Sequence, residues 1–338
     1  MRSEITIDLG ALRRNARRLL RALDGAELWA VVKANAYGHG AVDCAAAALD
    51  AGASALCVAT VSEALELRRA LPAASILVLG PSSPQEVAQA RESAVALVVG
   101  AGDIPEGVAV HVKLDTGMGR WGLSELPSQT RKLAGVMTHL ATADTDLDFA
   151  RLQVERFREA TAHVGDVTRH AANSAAALRL PEARFDAARC GIALYGLSPF
   201  GTDAAEDGLE PVLSWTTEIA QSKLLRPGES SGYGRRFVAK RDTWIGILPI
   251  GYADGLRRDL TGSHVSVAGE RRRLIGTISM DAAAVELDRE LPPGTPVTIV
   301  GNDVPLEDHA RVADTITYEL ACGIDSSPTR AGRVVLRS

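Results

Sequence analysis

The chain has 338 residues, 46% of them hydrophobic and 23% charged, the mixture of an ordinary soluble globular protein with material for about two domains. Its 37 basic and 42 acidic residues leave a formal charge of −5. That is a poor match for nucleic acid or an anionic membrane, both of which need a basic footprint. Cys44, Cys57, Cys190 and Cys322 stand far apart, as neither a zinc ribbon nor a redox dithiol, and suit a reducing, cytoplasmic compartment.

From the N-terminus, MRSEITIDLG carries Glu4 and Asp8 ahead of any apolar run, so no signal peptide is expected. Leu9–Leu23 follows Asp8, a candidate N-cap, and sets Leu12, Leu19, Leu20 and Leu23 at helical spacing. Short apolar runs then predict strands at Trp29–Lys33, Ser54–Ala59, Ser75–Gly80, Val95–Gly100, Val108–Leu114, Ala134–His139, Thr168–Ala172 and Ala187–Cys190. Helical patterns lie between most of them, at Val42–Ala51, Ser62–Ala70, Pro84–Glu92, Asp146–Val164 and Ser174–Leu180. The loop between the fourth and fifth strands is too short for a good helix. Such alternation implies parallel strands joined by crossovers, and the strand count suits a closed (β/α)8 barrel, although an open doubly wound sheet has the same periodicity. None of these runs reaches the ~18 residues that a bilayer span takes.

Beyond Ser198 the texture changes. Pro199–Pro211 reads as a Gly- and acid-rich linker, followed by VLSWTTEIAQSKLL, TWIGILPIG, HVSVAG, AAAVEL and TPVTIVG, with one short helix near His309–Ala321. The expected architecture is an eight-stranded α/β barrel over residues 1–208 and a mostly antiparallel β domain over 209–338.

The segment AVVKANAYGHG places Lys33 at the C-terminal end of a strand, where barrel enzymes keep their chemistry. A desolvated lysine there is a nucleophilic amine; taken alone, it is equally a lysine snorkelling from a strand end. GMGRWG spells G-x-G-x-x-G after a strand, with Asp144 about where a ribose-binding acid would stand, but Pro127 interrupts the helix that pyrophosphate binding requires. The seven histidines form no compact metal-ligand spacing, and neither a nucleophile elbow nor a phosphate loop occurs.

AVVKANAYGHG resembles the pyridoxal-phosphate lysine motif of the alanine racemases. The resemblance continues in order through KLDTGMGRWG, MTHLATAD, HAANSAA, ARCGIALYGLSP, SGYG, PIGYADG and SMD, and so spans nearly the whole chain. It implies the barrel-plus-β-domain fold, a head-to-tail homodimer with shared active sites, and interconversion of L- and D-alanine, supplying D-alanine for bacterial peptidoglycan. Lys33 would hold pyridoxal 5'-phosphate and act as one base, and Tyr233 of the second domain would be the base on the opposite face. A free tyrosine ionises near pH ~10, so it needs cationic or hydrogen-bonding neighbours, here His139 with Arg189 behind it.

The same resemblance gives Arg189 the cofactor's ring nitrogen, with His170 bonded to it, and gives Tyr37, Asn173, Ser174, Gly191 and Ile192 the phosphate. Asn173–Ser174 is also an ordinary helix N-cap. Arg120 would take the substrate carboxylate with the backbone at Met280. Asp281 would orient the surroundings, and Tyr252 would line the entrance. Lys113 is either carbamylated, as in relatives, or a plain lysine paired with Asp115. No metal, nucleic acid or membrane partner is expected. The tail ELACGIDSSPTRAGRVV departs from the family: relatives commonly end with Arg-Val-Pro, sometimes with an adjacent tyrosine that reaches the phosphate, whereas this stretch has Ser326 and Ser327 and no tyrosine. Racemisation of serine or lysine, a decarboxylase of the same lineage and a non-catalytic pyridoxal-phosphate carrier are the rival readings.

Overall fold

The computed structural model describes residues 2–127 and 133–337; the end residues of the two expected domains, 1 and 338, lie outside that set. The chain divides into two units, Ala11–Glu210 and Met1–Gly10 with Pro211–Ser338. The expected boundary at 208/209 thus differs most at the N-terminus. There β1 (Ser3–Asp8) pairs with β10 (Leu213–Glu218) and with β19 (Gly332–Leu336), which draws the first ten residues into the β unit.

In the first unit the alternating runs close into a ring of eight parallel strands. They are β2 (Glu27–Val31), β3 (Ala55–Val58), β4 (Ile76–Val78), β5 (Ala96–Val99), β6 (Val110–Lys113), β7 (Gly135–Met137), β8 (Thr168–His170) and β9 (Ala187–Cys190). β9 returns to β2 with Trp29 opposite Arg189, which rules out the open-sheet alternative. Most strand residues are buried, as expected for parallel strands covered on both faces. Local signals place the helices. Thr60 and Glu63 form a capping box that starts Val61–Ala70, and Ser83 and Glu86 form another, with Pro84 opening Pro84–Glu92. The helix after β7 runs Leu147–Ala160, shorter than expected, because Thr161 Oγ1 turns back to the Phe157 carbonyl at 2.7 Å.

The largest departure lies after β2. The strand stops at Val31, and Lys33 opens a turn in which Ala34, Asn35, Ala36 and Tyr37 all have φ between 51° and 54°. Four consecutive non-glycine residues in the left-handed region carry strain of order 1–2 kcal/mol each. Side chains hold the turn in place: Glu63 accepts from the Ala34 N–H at 2.7 Å, and Asn35 Oδ1 accepts from the Ala41 N–H at 2.9 Å.

The second unit is a nine-stranded sheet in the order β11-β14-β17-β16-β15-β18-β10-β1-β19, antiparallel except between β1 and β19. Its further strands are β11 (Gln221–Leu225), β14 (Thr243–Leu248), β15 (His264–Val267), β16 (Glu270–Ile275), β17 (Ala283–Leu287) and β18 (Pro296–Val300). A separate hairpin of β12 (Ser230–Ser231) and β13 (Phe237–Val238) brackets Tyr233. The stretch expected as one helix is two, Leu306–Val312 and Thr317–Gly323, broken near Asp314 at φ 49°. Pro199–Pro211, expected as a linker, is tied down within the barrel unit as far as Glu210: Asp207 accepts from Arg179 at 3.1 Å and from Ser198 at 3.2 Å.

Phe157 is fully buried in a cluster with Val110, Val112, Leu114 and Val136, and meets Phe185 edge-on at 5.1 Å. Phe157→Ala should therefore cost about 3–5 kcal/mol in urea unfolding. A loss under about 1 kcal/mol would show that this cluster does not anchor the barrel.

Candidate active site

The C-terminal ends of β6, β8 and β9 carry Lys113, His170 and Arg189, and His139 comes two residues after the end of β7. Arg189 is almost wholly buried and has no carboxylate among its described partners. Its Nη1 donates to His170 Nδ1 at 2.7 Å and to the His170 carbonyl at 2.9 Å. Its Nη2 donates to the carbonyls of Thr138 at 2.8 Å and Ala171 at 3.2 Å, with His139 Nδ1 at 3.4 Å. These bonds leave Nε as the donor available to a ligand. Burial lowers the Arg189 pKa to about 10, so the guanidinium stays charged at neutral pH.

Burial, and after it that charge, sets the protonation of its neighbours. His139 is pressed down to about 3, first by burial and then by Arg189, Arg120, Lys113 and Lys33, all cationic. His170 lies well below the usual imidazole range through burial and the Arg189 charge. The thiols of Cys57 and Cys190 are pushed up to about 12 by burial despite Arg189, so they are inert rather than nucleophilic. The Lys113 pKa falls to about 8, mainly from burial and then from Arg120 and Arg189; Asp115 opposes this only weakly. Asp115 Oδ1 accepts from the N–H groups of Gly117, Met118 and Gly119, and so folds the loop that carries Arg120. Trp121 offers its face to both cations, with Arg120 Cζ at 4.8 Å and Lys113 Nζ at 5.2 Å from the ring centroid.

A second group of donors gathers beside the left-handed turn. The N–H groups of Gly191 and Ala193 point at Ser174 Oγ, at 3.0 and 3.5 Å. A Cβ on Gly191 would lie 2.4 Å from Tyr37 Oη, so only glycine admits the phenol there. Tyr195 supports the arrangement: it lies 5.0 Å from the Tyr37 ring, and its hydroxyl donates to the Val31 carbonyl at 2.8 Å. Asn173 Oδ1 accepts from the Ala176 N–H at 3.0 Å, the N-cap use of that residue, and Ile192 is fully buried at the start of the next turn.

The remaining expected residues belong to the β unit. Tyr233 is 75% exposed, held by its carbonyl accepting from Thr277 Oγ1 at 2.8 Å. Tyr252 and Met280 sit on two loops pressed together at Gly251, where a Cβ would meet the Ser279 carbonyl at 2.1 Å. The Tyr252 N–H donates to the Ser279 carbonyl and the Ala253 N–H to the Met280 carbonyl, each at 3.0 Å. Arg330 bridges the loops, pairing with Asp281 at 2.9 Å and with buried Asp254 at 3.0 Å. Ser327 Oγ shares a hydrogen bond with Thr329 at 3.1 Å in a local turn.

The sequence reading missed Trp29, His111, Thr138, Trp121 and Tyr195 around the barrel residues, and Asp254 and Arg330 in the β unit. His111 had a signal: it lies two residues before Lys113 on the same strand and so shares its face. Among the described residues no cluster of His, Cys, Asp and Glu could hold a metal ion, and no helix is long and apolar enough to cross a membrane.

The family model described as "Alanine racemase, N-terminal domain" matches residues 7–199, and "Alanine racemase, C-terminal domain" matches 212–332. The chain is 41% identical to "Alanine racemase 1" of Bacillus subtilis over 96% of its own length and 91% of that protein's. Among solved structures it superposes on the alanine racemase from D-cycloserine-producing Streptomyces lavendulae with TM-score 0.92 and 35% identity, covering 100% of this chain and 98% of that one. The alanine racemase from Bacillus anthracis "with bound L-Ala-P" gives TM-score 0.88 and 35% identity over 100% and 95% of the two chains. With both domain models matched in order and the relatives covered nearly end to end, the chain belongs to the alanine racemase family.

Proposed function

We propose that the protein interconverts L- and D-alanine with pyridoxal 5'-phosphate, working as a homodimer in the cytoplasm. The enzyme class and substrate follow from the family. The observation that carries the chemistry is the buried guanidinium of Arg189 amid neutral histidines, at the strand ends beside Lys33. The residues present fit the cofactor. Tyr37 Oη, Ser174 Oγ and the backbone of Gly191 and Ile192 would hold its phosphate, with Asn173 fixing the helix start, and the glycine at 191 keeps that cradle open. Pyridoxal phosphate, when bound, supplies the aldehyde that captures an amino group and the ring that draws electrons from the α-carbon.

The chain's own groups do the rest. Lys33 Nζ binds the cofactor and moves the α-proton on one face, and Tyr233 Oη moves it on the other, so removal and return on opposite faces invert the centre. Arg189 donates from Nε to the ring nitrogen and keeps its proton. It thereby limits electron withdrawal and favours racemisation over transamination. Arg120 holds the substrate carboxylate with the Met280 backbone, Asp281 orients that loop through Arg330, and Tyr252 lines the entrance. Lys113, with its lowered pKa and cationic neighbours, is suited to carry a carbamate that would pair with Arg120. The free cysteines support a reducing compartment.

Incubating the loaded protein with single L-amino acids and separating the enantiomers tests the substrate. Alanine should racemise fastest; faster turnover of serine or lysine would move the protein to a rival specificity, and no turnover of any would favour a carrier. Arg189→Glu should lower racemisation on the order of 100-fold and admit transamination, whereas unchanged rates would make Arg189 structural only. The exposed ring of Tyr233 supports its service to a partner's site. Inactive Lys33→Ala and Tyr233→Phe subunits, dissociated and mixed, should then recover activity, because each heterodimer holds one intact site. No recovery would show that each chain uses its own tyrosine.

A further inference from the structure

We propose that His111 is a positioning residue for the reaction: it accepts a hydrogen bond from His170 and so orients the imidazole that holds Arg189 on the cofactor's ring nitrogen. This rests on the reading of Arg189 given above. The geometry fixes the direction of the chain of bonds. A guanidinium has only donors, so His170 Nδ1, 2.7 Å from Arg189 Nη1, must present a lone pair. The His170 proton is then on Nε2, which lies 2.9 Å from His111 Nδ1. That nitrogen must accept, which leaves the His111 proton on Nε2. Arg189, His170 and His111 therefore form a one-way relay of donors, each member buried.

Both imidazoles are neutral, as the relay requires: burial and the Arg189 charge lower His111 to about 4 and carry His170 well below its usual range. The packing is specific to the pair. Trp29 meets His111 edge-on at 5.6 Å and lies against His170 at 4.5 Å. Trp29, His111 and His170 come from the alternate strands β2, β6 and β8, as do side chains that share an interior layer of such a barrel. On the intervening strand β7, Gly135 gives the His111 ring its place, since a Cβ there would lie 2.2 Å from Nδ1 and 2.8 Å from the Thr168 carbonyl. Accepting the His170 proton makes His170 Nδ1 a better acceptor for Arg189, because bonds in such a chain polarise one another. It also prevents the ring from turning over. Without His111 the buried Nε2–H of His170 has no acceptor, and the ring gains by rotating or changing tautomer at the expense of the Arg189 bond.

Two readouts test this, one of them without cofactor. Imidazole nitrogen NMR on the cofactor-free protein should show His170 as a single Nε2–H tautomer in the wild type and in His111→Gln, whose amide oxygen can accept. His111→Leu, and Gly135→Ala through displacement of the ring, should give mixed tautomers. A His111→Leu spectrum identical to the wild type would overturn the relay. In the loaded enzyme, His111→Leu should lower kcat for alanine about tenfold with KM little changed. It should also shift the cofactor's visible absorption and raise the ratio of transamination to racemisation, with His111→Gln restoring all three. Equal losses in the Leu and Gln variants, with absorption and ratio unmoved, would mean that His111 only fills space. A tautomer change in the cofactor-free protein with no change in the loaded enzyme's spectrum would overturn the ring-nitrogen reading of Arg189 instead.

Discussion

A guanidinium shut inside a barrel, with no carboxylate beside it among the described residues, sets the terms for everything around it. Burying an unpaired charge costs several kcal/mol unless hydrogen bonds replace its water. Here three backbone carbonyls and two imidazoles take that part. Those carbonyls, of Thr138, His170 and Ala171, are strand-end groups, available because β7 and β8 stop short at Met137 and His170. The strand lengths of the barrel thus solvate the charge. Burial, and after it this charge, keeps His139 and His170 neutral, and burial with Arg120 and Arg189 lowers the pKa of Lys113. A cationic cluster of this kind favours an anionic group such as a carboxylate.

Strain and its relief are set next to that field. The left-handed turn after Lys33 departs from what L-residues prefer, and it is held by Glu63, whose Oε2 also accepts from the N–H groups of Ala59 and Thr60 at 2.7 and 3.1 Å. One carboxylate thus caps a helix and pins the turn that Lys33 opens, which couples the position of Lys33 to the start of the neighbouring crossover. The turn brings Tyr37 to Gly191, where the missing side chain makes room for the phenol. Rigid elements position these side chains, which favours preorganisation over closure on binding.

In the β unit the same economy is reached with ion pairs. Asp254, 2% exposed in its side chain, takes the Gly251 N–H at 2.8 Å and the guanidinium of Arg330 at 3.0 Å, with Arg2 at 3.9 Å. Residues near the two ends of the chain thereby fix the loops of Tyr252 and Met280. Arg2 and Arg330 also pair with Asp281, at 3.6 and 2.9 Å, so two arginines share two carboxylates across the loops. Ser326 and Ser327 lie a few residues before Arg330, whose pairs with Asp254 and Asp281 form this clamp.

The sequence by itself determined the elements whose periodicity is local. The helices Leu9–Leu23 and Pro84–Glu92 fall where apolar spacing and proline put them, and each of the eight expected barrel runs overlaps a strand, although β2 ends at Val31, two residues before its expected end. The resemblance of contiguous motifs also points to Lys33, Arg189 and Tyr233 as the residues to test. Other features required the fold. Sheet strand β16 reads ERRRLI, whose exposed arginines hide the alternation, and β1 and β19 gain their places only by pairing across the length of the chain. Ring closure and the left-handed turn depend on Arg189 meeting Trp29 across β9 and β2, and on Glu63 reaching Ala34 across 29 residues. His111 carries no motif. Its role exists only because strand alternation points it inward and barrel curvature brings it to 2.9 Å from a residue 59 positions away. Patterns within one turn or one strand are written in neighbouring residues, whereas contacts between distant segments are decided by how the whole chain closes.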